Sequence, residues 1–119
     1  MKLLLVDDEE KFVSRLAERL AFRGYDADWA TTCDDALAKA KSGQHDIAVL
    51  DIKMPAVSGF DLKKKLAEIV PGMKFIFVTG HGSEQDYDSG CKEAVCCIIK
   101  PFQIEMLIEK IREASAVSK

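Results

Sequence analysis

Residues 46–55 read Asp-Ile-Ala-Val-Leu-Asp-Ile-Lys-Met-Pro, and this stretch predicts the centre of the fold. The apolar run from Ile47 to Leu50 is typical of a strand buried on both faces, as in a parallel sheet covered by helices. The run stops at Asp51, and Pro55 marks an irregular loop soon after it. Open α/β sheets place their chemistry at the carboxyl ends of their strands. Asp51 is therefore the first candidate functional residue.

Strand-like and helix-like stretches alternate on both sides of this segment. Predicted strands cover residues 2–6, 25–30, 47–50, 73–78 and 95–99. Predicted helices cover residues 9–23, 34–41, 58–70 and 83–92, and a last helix begins near residue 104. This alternation predicts an α/β fold, a doubly wound five-stranded parallel sheet with five helices, in one domain over residues 1–119.

The composition argues against several classes of protein. With 119 residues, 48% hydrophobic and 31% charged, the chain resembles an ordinary globular domain. A net charge of −3 gives no basic footprint, so we expect no direct contact with nucleic acid. No apolar run approaches the roughly 20 residues that cross a membrane, so we expect no membrane association. The apolar start of the chain ends at the acidic residues 7–10, which favours a strand over a signal peptide.

The cysteines and histidines give weak signals. The four cysteines are Cys33, Cys91, Cys96 and Cys97. None forms a C-x-x-C pair, so we interpret them as small buried residues in a reducing compartment, with a redox or zinc role as the alternative. We expect His45 to be a surface turn residue and His81 to be a loop residue near the site.

Polar residues follow four of the five predicted strands. Asp7 and Asp8 come after the first, Asp51 ends the third, Thr79 the fourth and Lys100 the fifth. Each has a structural alternative when taken singly, such as helix capping for the acidic pair or a turn for Asp51. Because parallel strands end at one edge, the set predicts a common site there.

Three carboxylates at one edge would repel one another. At about 4 Å and an effective dielectric near 20, one pair costs about 4 kcal/mol. A hard divalent cation offsets this repulsion, and oxygen ligands suit Mg²⁺. We expect Asp8 and Asp51 to bind it directly, with Asp7 beside them or acting through water. The backbone carbonyl of Lys53 is the candidate third protein ligand.

The same residues can support phosphoryl transfer, which depends mainly on positioning and charge stabilisation. A carboxylate can accept a phosphoryl group as an acyl phosphate, and Asp51 is the candidate nucleophile. Lys100 supplies a point positive charge, and the Thr79 hydroxyl can donate to a phosphoryl oxygen. Gly80 and Gly82 let the following loop move or bring its N–H groups close.

Four motifs of the chain match one family. They are Val6-Asp7-Asp8-Glu9, Leu50-Asp51-Ile52-Lys53-Met54-Pro55 with Gly59 following, Thr79-Gly80, and Ile99-Lys100-Pro101-Phe102. With these motifs in place, the chain resembles a bacterial two-component response-regulator receiver domain over essentially its whole length. The sequences of residues 51–55 and 78–82 also resemble those of receivers of the nitrogen-regulator, enhancer-activating type.

The resemblance implies a flavodoxin-like sheet order of 2-1-3-4-5 and a cytoplasmic signalling module. A sensor histidine kinase or a phosphotransfer protein would donate the phosphoryl group, and the domain would catalyse only its own phosphorylation and dephosphorylation. Phosphorylation of Asp51 would draw Thr79 inward. It would then re-present the surface of the predicted helix 83–92, the fifth strand and the last helix to an output domain or downstream protein. Dimerisation on phosphorylation through the last helix is compatible with this picture, although no distinctive pattern marks it.

Two positions depart from the family pattern. Cys97 stands where many receivers carry Tyr or Phe, and Glu93 stands where the family usually has Gly. A thiol cannot fill or vacate an aromatic pocket, so the sequence gives no support for that part of the switch. We expect Asp51 to accept a phosphoryl group despite both changes.

Two other functions compete with a phosphorylation switch. An aspartate-nucleophile phosphohydrolase needs a second carboxylate two residues after the nucleophile, and Lys53 occupies that position. A degenerate receiver would act as a phosphorylation-independent interaction module. The intact set of Asp8, Asp51, Thr79 and Lys100 argues against it.

Overall fold

The computed structural model describes residues 1–43, 45–52, 58–79, 96–100 and 102–116, with the side chains of residues 79, 96, 97 and 116 left aside. In these ranges the chain forms five strands and four helices. The strands are β1 (Lys2–Val6), β2 (Asp26–Ala30), β3 (Ile47–Asp51), β4 (Lys74–Thr79) and β5 (Cys96–Ile99). The helices are α1 (Glu10–Phe22), α2 (Cys33–Gly43), α3 (Gly59–Ile69) and α4 (Ile104–Ala116). The predicted helix over 83–92 lies outside the described residues.

The strands form one parallel sheet in the order β2-β1-β3-β4-β5. This confirms the order that the family resemblance implied, with β3 at the centre. Every residue of β3 is buried, as its apolar run predicted. The sheet therefore carries Asp51 at the end of its most protected strand.

Alternate residues of the central strands point to opposite faces, which divides the core into two layers. Leu3 and Leu5 of β1 pack in one layer with buried residues of α1 and α4. Leu4 and Val6 pack in the other layer with buried residues of α2 and α3. Helices thus cover both faces, which is why the central strands are apolar throughout.

Side-chain hydroxyl groups cap the starts of two helices. The backbone N–H of Asp35 donates to Thr32 Oγ1 at 3.1 Å, at the start of α2. The backbone N–H of Asp61 donates to Ser58 Oγ at 3.2 Å, at the start of α3. Each hydroxyl satisfies a backbone donor that lacks a partner within its helix.

The start of α3 is pressed against the end of β3. The backbone N–H of Gly59 donates to the carbonyl of Ile52 at 2.8 Å. A Cβ added at Gly59 would lie 2.5 Å from the carbonyl oxygen of Asp51 and 2.9 Å from the Cα of Ile52. Only glycine allows this approach, so the position of α3 is tied to the backbone that carries Asp51.

The expectation that His45 lies on the surface is wrong. Its side chain is buried, with Nε2 2.8 Å from Asp28 Oδ2 on β2. The ring lies against the backbone of Gly43, since a Cβ there would come 2.3 Å from the imidazole Cε1. Within the described ranges, Nδ1 has no hydrogen-bond partner. Gly43, which ends α2 and has no side chain, and the carboxylate of Asp28 on β2 thus let a polar ring occupy the edge of the core.

Two compositional expectations can be compared with the described part of the chain. Cys33 is a free thiol, half-buried rather than fully buried, and packs against the layer of α2 and α3. Cys91 and the side chains of Cys96 and Cys97 lie outside the described residues. No helix in the described part is both long enough and apolar enough to span a membrane.

Candidate functional site

The carboxyl ends of β1 and β3 bring three acidic side chains together. The register pairs Val6 with Leu50, so Asp7 follows β1 beside the final residue of β3, Asp51. Carboxylate oxygens of Asp7, Asp8 and Asp51 all lie within 4.8 Å of one another. Asp7 is 3% exposed and Asp51 6%, whereas Asp8 is exposed. The cluster is therefore buried on one side and open on the other.

Asp7 is fixed by hydrogen bonds in the turn that leads into α1. Its backbone N–H donates to the carbonyl of Ala30 at 3.1 Å, and its Oδ1 accepts from the N–H of Glu9 at 2.9 Å. Its other oxygen, Oδ2, accepts from Lys100 Nζ at 2.5 Å. Both carboxylate oxygens of Asp7 therefore already have protein partners.

Lys100 spans the site from the end of β5. Its Nζ lies 2.5 Å from Asp7 Oδ2, 3.2 Å from Glu9 Oε1 and 3.9 Å from Asp51 Oδ2. The same atom lies 4.7 Å from the ring centroid of Phe12, a cation–π distance. The Lys100 side chain is 18% exposed. One largely buried ammonium thus lies near three carboxylates and over one aromatic ring.

Burial and charge shift the pKa values of two of these groups. Burial raises the pKa of Asp7, an effect that its hydrogen bond to Lys100 only partly offsets. For Lys100, burial acts to lower the pKa, but the hydrogen bond to Asp7 and the negative charges of Asp7 and Asp51 outweigh it, and the pKa is raised. Lys100 therefore stays protonated at neutral pH.

The excess of carboxylates over the ammonium of Lys100 fits a bound cation. Carboxylate oxygens of three residues lie within 4.8 Å of one another, and in the described part of the chain the ammonium of Lys100 is shared among Asp7, Asp51 and Glu9. The donor atoms are oxygens, which hard divalent cations prefer. The residues present therefore fit a divalent cation at the open side of the cluster. Lys53, whose carbonyl is the predicted third ligand, lies outside the described residues.

The fourth strand brings Thr79 to the same edge. Asp51 pairs with Val78 and Ile99 pairs with Thr79, so the backbone of Thr79 lies one residue beyond Asp51 and next to the residue before Lys100. The side chain of Thr79 is outside the described part of the chain. The same is true of Gly80, His81 and Gly82, which were expected near the site.

Sequence reasoning did not single out two residues that contact Lys100. Glu9 belongs to an acidic run of four residues, and the run gives no sign of which carboxylate turns toward the site. Phe12 lies on α1, and its ring packs edge-to-face with that of Phe102, with 5.9 Å between the ring centroids. The motif Lys100-Pro101-Phe102 places an aromatic residue two positions after Lys100, and this was a sequence signal for an aromatic side chain near the ammonium.

The site geometry agrees with a match to known proteins. Residues 3–112 match the family model described as the response regulator receiver domain. The chain belongs to this family. Receiver domains are modules of phosphorylation-based two-component signalling rather than ordinary enzymes. Phosphorylation on an aspartate and binding of a divalent metal at an acidic pocket are general in the family.

Individual receiver proteins resemble the chain over most of its length. The two-component response regulator PhoP of Pseudomonas aeruginosa is 34% identical over 108 residues, which are 90% of this chain and 48% of PhoP. The chain spans about half the length of the curated relatives it matches. The receiver domain of NtrX from Brucella abortus has a TM-score of 0.89 at 27% identity, covering 98% of this chain and 99% of that one.

A third relative has been solved in a phosphorylated form. It is a response regulator protein from Burkholderia pseudomallei with a phosphorylated aspartic acid, calcium ion and citrate. Its TM-score is 0.84 at 28% identity, and the match covers 98% of this chain and 69% of that one.

Proposed function

We propose that residues 1–119 form one receiver domain and that Asp51 accepts a phosphoryl group from the phosphohistidine of a sensor histidine kinase or phosphotransfer protein. The observation that carries the proposal is the position of Lys100. Its Nζ lies 2.5 Å from Asp7 Oδ2 and 3.9 Å from Asp51 Oδ2, at the edge where the three carboxylates meet. A cation that serves buried carboxylates is also placed to neutralise a phosphoryl group added to one of them.

In the proposed transfer, a carboxylate oxygen of Asp51 attacks phosphorus. The P–N bond to the donor imidazole breaks, and the imidazole leaves with the electron pair, so that Asp51 becomes an acyl phosphate. Lys100 stabilises the charge on the phosphoryl oxygens, and the Thr79 hydroxyl donates to one of them. Water later attacks phosphorus, which releases inorganic phosphate and restores the carboxylate.

We propose Mg²⁺ as the bound cation, held directly by Asp8, Asp51 and the backbone carbonyl of Lys53. Asp7 already has partners for both oxygens, which supports its acting beside the ion or through water. When bound, the ion supplies positive charge that offsets carboxylate repulsion and the charge of the phosphoryl oxygens. The calcium ion in the phosphorylated relative supports a divalent cation here.

The proposed output is a change of surface. Phosphorylation would alter the face made by the predicted helix 83–92, β5 and α4, which would then control an output domain or a downstream protein. Moving such an equilibrium from 1:99 to 99:1 takes about 5.5 kcal/mol of differential stabilisation. Contacts of Lys100 and Thr79 with the phosphoryl group are the proposed source. The cytoplasmic location, the absence of nucleic-acid contact and dimerisation on phosphorylation stay predictions.

Intact-mass spectrometry after incubation with acetyl phosphate and Mg²⁺ tests the assignment. The wild type should gain the mass of one phosphoryl group, and Asp51→Asn should gain none. Asp34→Asn removes an exposed carboxylate at the start of α2 and should behave as the wild type. Excess EDTA should prevent the gain in every case.

Two outcomes would contradict the proposal. A phosphoryl group on the Asp51→Asn variant would place the acceptor elsewhere. A folded wild type that gains none would fit the phosphorylation-independent interaction module instead.

A further inference from the structure

The carboxylates of Glu9 and Asp51 both lie near the ammonium group of Lys100. Lys100 Nζ lies 3.2 Å from Glu9 Oε1, within hydrogen-bond range, whereas Asp51 Oδ2 is 3.9 Å away and beyond it. Asp7 Oδ2, at 2.5 Å, is the nearest partner. The ammonium therefore lies on the side of the site formed by Asp7 and Glu9, over the ring of Phe12.

The two partners hold Lys100 with different strength. The side chain of Asp7 is 5% exposed, so its bond to Lys100 is shielded from water. The side chain of Glu9 is 65% exposed, and an ion pair at such a position is weak and readily exchanged. Of the two contacts, the one to Glu9 is the easier to give up when a better anion arrives.

From these contacts we propose that Glu9 is a positioning residue that holds Lys100 away from Asp51 until a phosphoryl group takes its place. Lys100 has three N–H donors and can keep Asp7 while it exchanges Glu9 for a phosphoryl oxygen. Glu9 thereby sets how much free energy the phosphorylated state must supply to recruit Lys100. This inference rests on the proposed function of Asp51.

The local structure makes Glu9 suitable for substitution. It is the N-cap residue of α1, but its side chain makes no capping hydrogen bond. Apart from the side-chain contact with Lys100, Glu9 is held by its backbone, whose N–H donates to Asp7 Oδ1 and whose carbonyl accepts from the N–H of Val13. Glu9→Gln keeps that backbone and removes the charge that attracts Lys100.

Titration with beryllofluoride, a phosphoryl analogue, in saturating Mg²⁺ measures the effect. Glu9→Gln should bind the analogue about two- to fivefold more tightly than the wild type, the range expected for losing one exposed ion pair. Glu10→Gln is the matched control, since Glu10 is exposed and has no ion pair with Lys100 in the described part of the chain. It should bind as the wild type does.

A second readout follows the contact itself. In the free protein, without Mg²⁺ or analogue, the side-chain NMR signals of Lys100 should shift in Glu9→Gln and stay unchanged in Glu10→Gln. Equal affinity of Glu9→Gln and wild type, or an equal gain in both variants, would overturn the inference. If the wild type binds no beryllofluoride, the proposed function fails instead, and the NMR comparison still tests the pairing of Glu9 with Lys100.

Discussion

At position 100, a lysine side chain suits the site better than an arginine would. Its compact ammonium contacts Asp7 and Glu9 and lies near Asp51, and three N–H donors let it turn from one carboxylate to another. The planar fork of an arginine would favour one carboxylate and hold it. Because the pKa of Lys100 is raised by its acidic neighbours, the group keeps its charge while it changes partners.

His45→Ala tests the corrected placement of the imidazole. The substitution empties a buried volume beside Gly43 and leaves Asp28 without its 2.8 Å partner. We expect the free energy of unfolding to fall by about 2–3 kcal/mol, measured by urea denaturation. Asp28→Asn retains an oxygen that accepts from Nε2, so its cost should stay below about 1 kcal/mol. A His45→Ala variant within about 0.5 kcal/mol of the wild type would mean that the ring is a surface group after all.

Residues such as His45 and Glu9 mark the limit of prediction from sequence. The burial of His45 depends on Asp28, which lies 17 positions earlier on another strand. The orientation of Glu9 depends on Lys100, 91 positions later. No local pattern encodes such pairings, whereas Asp7, Asp51 and Lys100 were predicted because each ends a recognisable apolar strand.

Among the elements, α3 has the most demanding contact with the site. Gly59→Ala adds a methyl group that would meet the backbone of Asp51 and Ile52, which cannot move aside as a flexible side chain would. Alanine favours helices by up to about 1 kcal/mol over glycine, but overpacking costs about 1–3 kcal/mol. We therefore expect a net loss of about 1–2 kcal/mol in urea unfolding.

A matched substitution separates packing from helix propensity in this prediction. Lys64→Ala changes an exposed position on the same helix and should leave stability within about 0.5 kcal/mol of the wild type. If Gly59→Ala instead stabilised the protein, propensity would outweigh the contact, and α3 would not be tied closely to Asp51.

The elements themselves were predictable because their periodicities are strong. The predicted strands match the observed strands to within one residue at either end. The helix α2 runs two residues further than its pattern suggested, to Gly43. The reason is that helix ends are set by contacts with the rest of the fold as well as by local sequence.

At the scale of the whole molecule, cation binding should be visible as stability. A ligand that binds only the folded state at one hundred times its Kd adds about 2.7 kcal/mol to the free energy of unfolding. We expect urea unfolding of the wild type to shift by this amount between EDTA and such a Mg²⁺ concentration. Asp8→Asn should lose most of the shift because it removes an expected direct ligand.

The same variant carries its own control. In EDTA, Asp8→Asn should be slightly more stable than the wild type, because one of three mutually repelling carboxylates is gone. A wild type whose unfolding is indifferent to Mg²⁺, or an Asp8→Asn variant with the full shift, would argue against a cation at this cluster.

The overall architecture could be predicted from the chain because its strands and helices alternate and its polar residues fall at strand ends. Parallel pairing then has few arrangements that keep both faces covered. The strand order itself came from the family resemblance, since no feature of an individual strand specifies its neighbour. In the structure, β1 pairs with both β2 and β3, and this pairing establishes the strand order on that side of the sheet.

The helices α1 and α2 bury unequal amounts of apolar surface, and this difference affects how easily each of them detaches from the sheet. The buried side chains of α1 are Val13, Leu16, Ala17 and Leu20, whereas those of α2 are Ala36 and Ala40. With so little apolar surface to lose, α2 should detach at a lower free energy than α1. Its departure would uncover one face of β2, an edge strand of the sheet, whose unpaired backbone could then recruit another chain into an aggregate. Asp26 and Asp28 lie on that strand, and charged side chains on an edge strand discourage its pairing with another chain.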